Sequence, residues 1–283
     1  MIKEFFGIGG YQRPAEGAYS WQHLTFVTFL MIVMVTCAIL IGKRYQKADD
    51  KRKNFVLIVT AIAIDSLEIF KILLHQYTSP DPLAFLYVLP LFLCSIQLIT
   101  IPVAACTTGR VKEACLDFIF IFGILGAVLG TYGAAQNYAC YPVLSFDNVV
   151  SGLTHSLSGF ASLYIAISGM LSMKKKNIWI TFSIIGAFCV AAYLANILVP
   201  DGYNYMFLMR GDGTPYDIFF NLVNGHPVFY PLIVVGLFLL YIFVFYQIYY
   251  LIQNKRNKTK KQASDESDAC QNEKEIEQEK SLV

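Results

Sequence analysis

The chain has 283 residues, 56% of them hydrophobic and 15% charged, with a formal net charge of +2. Soluble domains carry about 25% charged residues, so a single water-soluble core of this composition would leave little polar surface to face solvent. A disordered chain, a basic nucleic-acid-binding domain and a disulfide scaffold are excluded as well.

Residues 1–20 hold Lys3, Glu4, Arg13 and Glu16, several glycines and no apolar core. They read as an outer segment rather than a signal peptide. A bilayer-crossing helix needs about 20 mostly apolar residues. Such runs occur at Trp21–Gly42, Asn54–His75, Leu83–Cys106, Cys115–Ala135, Val150–Met173, Ile178–Val199 and Val228–Ile252. None alternates as barrel strands do. The expectation is an all-α polytopic membrane protein with seven transmembrane helices over residues 21–252.

Charge orients it. Lys43, Arg44, Lys47, Lys51, Arg52 and Lys53 follow the first run. Arg110 and Lys112 follow the third, Lys174–Lys176 the fifth, and Lys255, Arg256, Lys258, Lys260 and Lys261 the last. The other side carries only Lys3, Arg13 and Arg210. Basic loops stay in the cytoplasm, so the N-terminus is expected outside and the C-terminus inside. Residues 253–283 turn from basic to acidic and read as a disordered cytoplasmic tail.

Polar residues inside spans carry the functional information. Asp65, Glu68, Lys71 and His75 follow at steps of three, three and four, one helical face. Glu68 and Lys71 can pair across it. Pro90, Cys94 and Gln97 share a face of the third run, where Pro90 predicts a kink. Ser151, Thr154, His155, Ser158 and Ser162 form a polar stripe on the fifth. Tyr193 and Asn196 end the sixth, and a loop with Asn204 follows. His23, His75, His155 and His226 all fall toward the outer side, with Asp147, and point to a vestibule there. No two histidines have the spacing of a helical metal-ligand pair, so no metal is expected. The seven cysteines show neither a CxxC nor an outer-side pair.

The seven-helix layout, Leu89-Pro90-Leu91-Phe92-Leu93-Cys94, His155, Asn196 with Asn204-Tyr205-Met206-Phe207-Leu208, and Pro227 with Tyr230-Pro231 resemble the YwaF-like family of integral membrane proteins. That family is similar to a vertebrate branch of transmembrane acyltransferases that remodel ether phospholipids. The resemblance covers roughly residues 20–250. It implies a cysteine nucleophile at Cys94 and a histidine base at His155. Membrane phospholipids would be substrates, with no soluble cofactor and no nucleic acid, in the plasma membrane. Gln97, Asn196, Asn204, Glu68, Lys71 and His226 would line the substrate, oxyanion or cavity positions. Phe92 is a departure, because the resemblance leads one to expect histidine there in many bacterial members.

A thiolate attacks an ester carbonyl and a neighbouring imidazole takes the thiol proton. Counted from the outer ends of their runs, Cys94 lies about 16 Å deep and His155 about 8 Å, so the two must be brought level for this chemistry. The alternative is a seven-helix transporter or small-ligand sensor with a polar cavity lined by Asp65, Glu68, Lys71 and His75.

Overall fold

The computed structural model describes residues 2–199 and 203–281. It is helical, with no strand among the described residues. In chain order the helices are α1 (Ile2–Phe5), α2 (Trp21–Tyr45), α3 (Asp50–Thr78), α4 (Gln97–Cys106), α5 (Gly109–Leu129), α6 (Ala135–Cys140), α7 (Phe146–Ile167), α8 (Ile178–Leu198), α9 (Asp217–Leu222) and α10 (Phe229–Ser281). Short 3-10 turns occupy Ala84–Val88, Leu93–Ile96, Lys175–Asn177 and Tyr205–Phe207. The chain divides into two units, residues 1–239 and 240–283.

Four stretches are long and apolar enough to cross a membrane: Trp21–Tyr45, Phe146–Ile167, Lys175–Leu198 and Phe229–Asn257. Their outward faces are greasy, with Phe29, Ile32, Leu40, Val190 and Leu198 exposed. Trp21 opens α2 at one end of the first unit and Trp179 opens α8 at the other, both largely exposed. Tryptophans at the two ends of apolar helices match the two interfacial belts of a membrane protein. The caps are conventional. Ser20, Asp49 and Ser145 accept the His23, Arg52 and Asn148 N–H groups and so start α2, α3 and α7.

One stretch differs from the sequence expectation. Residues 83–106 do not form one continuous helix. A 3-10 turn ends at Val88, the backbone is extended at Leu89 and Phe92, and helix resumes as Leu93–Ile96 running into α4. Pro90 has no N–H to give, and Leu91 N–H instead closes on Leu89 O at 2.8 Å. Cys94 therefore sits in the first turn of a short apolar helix, Leu93–Cys106, and Pro90 shares no helical face with it. In the second unit, α10 runs on through the polar stretch to Ser281. That stretch is rich in Lys, Glu and Gln, good helix formers, and holds no Gly or Pro.

The core of the first unit gathers Met34 and Ala38 of α2, Leu57 and Ile64 of α3, Ile101 and Ala104 of α4, Ile119 and Ala127 of α5, and Ala161 and Tyr164 of α7. Its closest seam joins α5 and α7. A Cβ on Gly123 would lie 2.6 Å from Ser162 Cβ, and one on Gly159 2.6 Å from Ala127 Cβ. Small residues let the backbones approach, as in membrane helix pairs generally. The end of this unit bearing the lysine loops is tied by Asp117, which is fully buried. Its carboxylate accepts Met173 N–H at 2.8 Å, Asn177 Nδ2 at 2.9 Å and Ser172 Oγ at 3.4 Å. Met173 is held in the left-handed region, φ 45°. At the start of α5, ahead of its apolar run, Glu113 pairs with Lys174. That hydrogen bond holds the Glu113 carboxyl below its ordinary range, with burial opposing.

Candidate functional site

The glycines of α5 place the two residues expected to do chemistry. A Cβ on Gly126 would meet Cys94, 3.7 Å from its Cβ. A Cβ on Gly130 would lie 2.2 Å from His155 Nδ1 and 2.3 Å from its Nε2. The His155 ring thus lies flat in the space a side chain at 130 would fill. Gly126 and Gly130 are one turn apart, and Gly130 N–H still bonds Gly126 O at 2.8 Å. Cys94 and His155 therefore pack on one helical face, offset by about 6 Å along the axis. The interruption at 89–92 leaves an axial offset of about 6 Å between them, in place of the roughly 8 Å a continuous helix would give. Both side chains are half-buried.

Around them lie Gln97, Glu68 and Lys71. Gln97 is buried, and its Oε1 accepts Thr100 Oγ1 at 3.2 Å. Its Nε2 is buried without a hydrogen-bond partner among the described residues, one of few such orphaned donors. Lys71 Nζ pairs with Glu68 Oε1 at 2.5 Å. The Lys71 charge also acts on Cys94 and His155. Asp65 lies on the same helix with Oδ1 buried and unpartnered among the described residues.

The remaining expected residues have local partners. Asn196 is buried. Its Oδ1 accepts Tyr205 N–H at 2.7 Å and its Nδ2 donates to Tyr205 O at 3.0 Å. Asn204 Nδ2 donates to Arg210 O and Asp212 Oδ2, both at 2.7 Å, and its Oδ1 accepts Met209 N–H at 2.9 Å. His226 caps α10, its Nδ1 accepting Val228 N–H at 3.3 Å and Phe229 N–H at 3.4 Å. His23 is fully buried, accepts Tyr19 N–H at Nδ1, and so donates from Nε2 to Thr131 O at 3.1 Å. Phe92 packs edge-on against the Tyr205 ring, centroids 5.3 Å apart.

A family model describing the TMEM164 family matches residues 18–249. The chain belongs to the TMEM164 family. No curated protein and no solved structure matches the chain. The stretch this TMEM164 member shares with its family holds Cys94, His155, Gln97, Gly126, Gly130, Asn196 and Tyr205. It omits most of the N-terminal segment.

Three features of this family member were not found by reasoning from the sequence. The glycine pair is one. Tyr205 is another, because its hydroxyl donates to Leu86 O at 2.5 Å and accepts Leu89 N–H at 3.2 Å. The third is Tyr11, which joins Asp147 and His75, already expected on one side, in a cluster at the N-terminal end of α7. There Asp147 accepts Tyr11 OH at 2.9 Å and meets His75 Nε2 at 3.2 Å. Burial, and then the Asp147 charge, push the Tyr11 hydroxyl above its ordinary pKa. His75 is thus bound to α7 through Asp147, which the Lys71 charge also reaches. Among the described residues no group of histidine, cysteine and carboxylate is arranged to hold a metal ion.

Proposed function

We propose that this TMEM164-family protein is a membrane-embedded thiol acyltransferase acting on phospholipid acyl chains. The observation that carries the reading is the glycine pair, which stacks Cys94 and His155 one turn apart on α5. The resemblance to the ether-phospholipid acyltransferase branch supplies the substrate class. In this reading α3, the interrupted 83–106 stretch and α5 add three crossings to the four clear spans. The N-terminus then lies outside and the lysine loops inside.

The chemistry runs in two halves. His155 takes the Cys94 thiol proton, and the sulfur attacks the carbonyl carbon of a phospholipid ester. The C–S bond forms, the ester C–O bond breaks, and His155 returns the proton to the departing lysophospholipid oxygen. A second lysophospholipid then enters. Its hydroxyl gives its proton to His155 and its oxygen attacks the thioester carbonyl. The C–S bond breaks and the sulfur recovers the proton. Both tetrahedral states place negative charge on the former carbonyl oxygen. Gln97 Nε2, one turn from Cys94, is a donor for it, as are the first N–H groups of the helix that starts at Leu93. The side-chain amide of Asn196 is taken up by Tyr205, which makes it a positioning group.

The test is transfer of a labelled acyl chain from phosphatidylcholine to lysophospholipid in reconstituted vesicles. The parent transfers, Cys94→Ala does not, and His155→Ala is slower by about 10²–10⁴-fold, the usual worth of a general base. Full transfer by Cys94→Ala would end the proposal. So would a silent Cys94→Ala beside a damaged Glu68→Gln, which would favour transport or sensing through the α3 face.

A further inference from the structure

The interrupted stretch before Cys94 is where a membrane protein can least afford free backbone groups. Non-helical N–H and C=O groups in apolar surroundings must find partners inside the protein. Leu91 N–H is met by Leu89 O. Leu86 O and Leu89 N–H are both met by one atom, the Tyr205 hydroxyl, which donates to the first and accepts from the second. Tyr205 comes from the loop after α8, well over a hundred residues along the chain, and is fully buried.

Tyr205 is itself held from two sides. Asn196 grips both its backbone N–H and its C=O. The next two residues, Met206 and Phe207, take φ of 58° and 56°, a left-handed conformation that side chains enter at a steric cost and keep only where the surroundings dictate it. The Phe92 ring then packs on Tyr205 at 5.3 Å and on Phe207 at 6.2 Å, two residues ahead of Cys94. A chain of direct contacts runs from Asn196 through Tyr205 to the turn at Pro90, and from there to the start of the helix that carries the thiol.

We infer that Tyr205 is a positioning residue for Cys94, its hydroxyl fixing the turn at Pro90 and thereby the direction in which the sulfur leaves the helix toward His155. Asn196 acts through Tyr205. This assignment rests on the acyl-transfer reading and adds to it the element that aims the nucleophile.

The test uses the full-length protein in vesicles, with single-turnover formation of the Cys94 acyl adduct from phosphatidylcholine. Tyr205→Phe keeps the ring and removes only the hydroxyl. The expected result is a rate at saturating lipid about 10-fold lower or more, as for a misplaced reacting group. The lipid concentration giving half that rate stays the same. Asn196→Ala falls similarly, and the double variant is no slower than the slower single, because both changes break one chain of contacts. A brace that matters only for folding would instead lower the fraction of protein that reacts and leave the rate per reacting molecule unchanged. That result, or multiplicative losses in the double variant, overturns the inference. Should the parent form no adduct, the acyl-transfer reading fails by itself. Tyr205 is then judged by alkylation of Cys94 with iodoacetamide, where an unchanged rate in Tyr205→Phe overturns its positioning role.

Discussion

Gly130→Ala abolishes most acyl transfer while Gly126→Ala leaves it close to the parent. The two substitutions add the same methyl group one turn apart on α5. At 126 the new Cβ meets Cys94 at 3.7 Å, an ordinary van der Waals contact. At 130 it lands 2.2 Å from the imidazole of His155, where both atoms cannot stay. The backbone at Gly130 is right-handed helical, φ −77° and ψ −5°, so alanine brings no strain of its own and favours the helix. The His155 ring is the end of a rotatable side chain and gives way first. The protein therefore stays folded with its base displaced, and a displacement of about 1 Å can cost about 10²-fold in rate. Transfer assays paired with thermal unfolding of both variants check this. Equal activity in the two variants, both folded, would mean that the position of His155 does not matter to the reaction.

Asp117→Ala has its large effect on stability. The carboxylate is fully buried and satisfies the Met173 N–H, the Asn177 amide and the Ser172 hydroxyl. Removing it takes the carboxylate acceptor from the Met173 N–H and leaves the Asn177 amide its longer bond to Ser172 Oγ at 3.4 Å, each lost bond costing about 1–3 kcal/mol. It also frees Met173 from the contact that holds it at φ 45°. A loss of about 3 kcal/mol or more is expected from the broken buried network, read by thermal or denaturant unfolding in detergent. Asp117→Asn keeps the volume and one acceptor and loses less. The rate of Cys94 reaction per folded molecule is unchanged in both, because this network ties the end of the first unit that carries the lysine loops. A loss of rate without a loss of stability would mean that Asp117 serves the reaction instead.

The membrane character was legible because lipid imposes a composition on whole runs of residues, and α2, α7, α8 and α10 follow it closely. The interruption between Val88 and Leu93 was not legible. The composition stays apolar through it, and Pro90 alone signals a kink. The break is sustained by Tyr205, a partner that no local pattern reveals. Cys94 and His155 could be chosen by residue type and by resemblance, but the seat of the His155 ring against α5 depends on the side chain that is missing at 130. In a sequence a glycine announces backbone freedom, but Gly130 sits in helical geometry, where the close approach of the His155 ring explains it. Residue type also left Asn196 open to an oxyanion role, whereas its amide is occupied by the Tyr205 backbone. The four histidines, read together as a vestibule, divide into a buried brace at His23, an Asp147 partner at His75, a helix cap at His226 and the ring on Gly130 at His155.

The most direct measurement is the intact mass of the purified parent and of Cys94→Ala after incubation with phosphatidylcholine vesicles. An acyl adduct that hydroxylamine removes, found on the parent alone, is the predicted result and identifies the thioester. No adduct on a folded parent, or the same adduct on Cys94→Ala, would contradict the account.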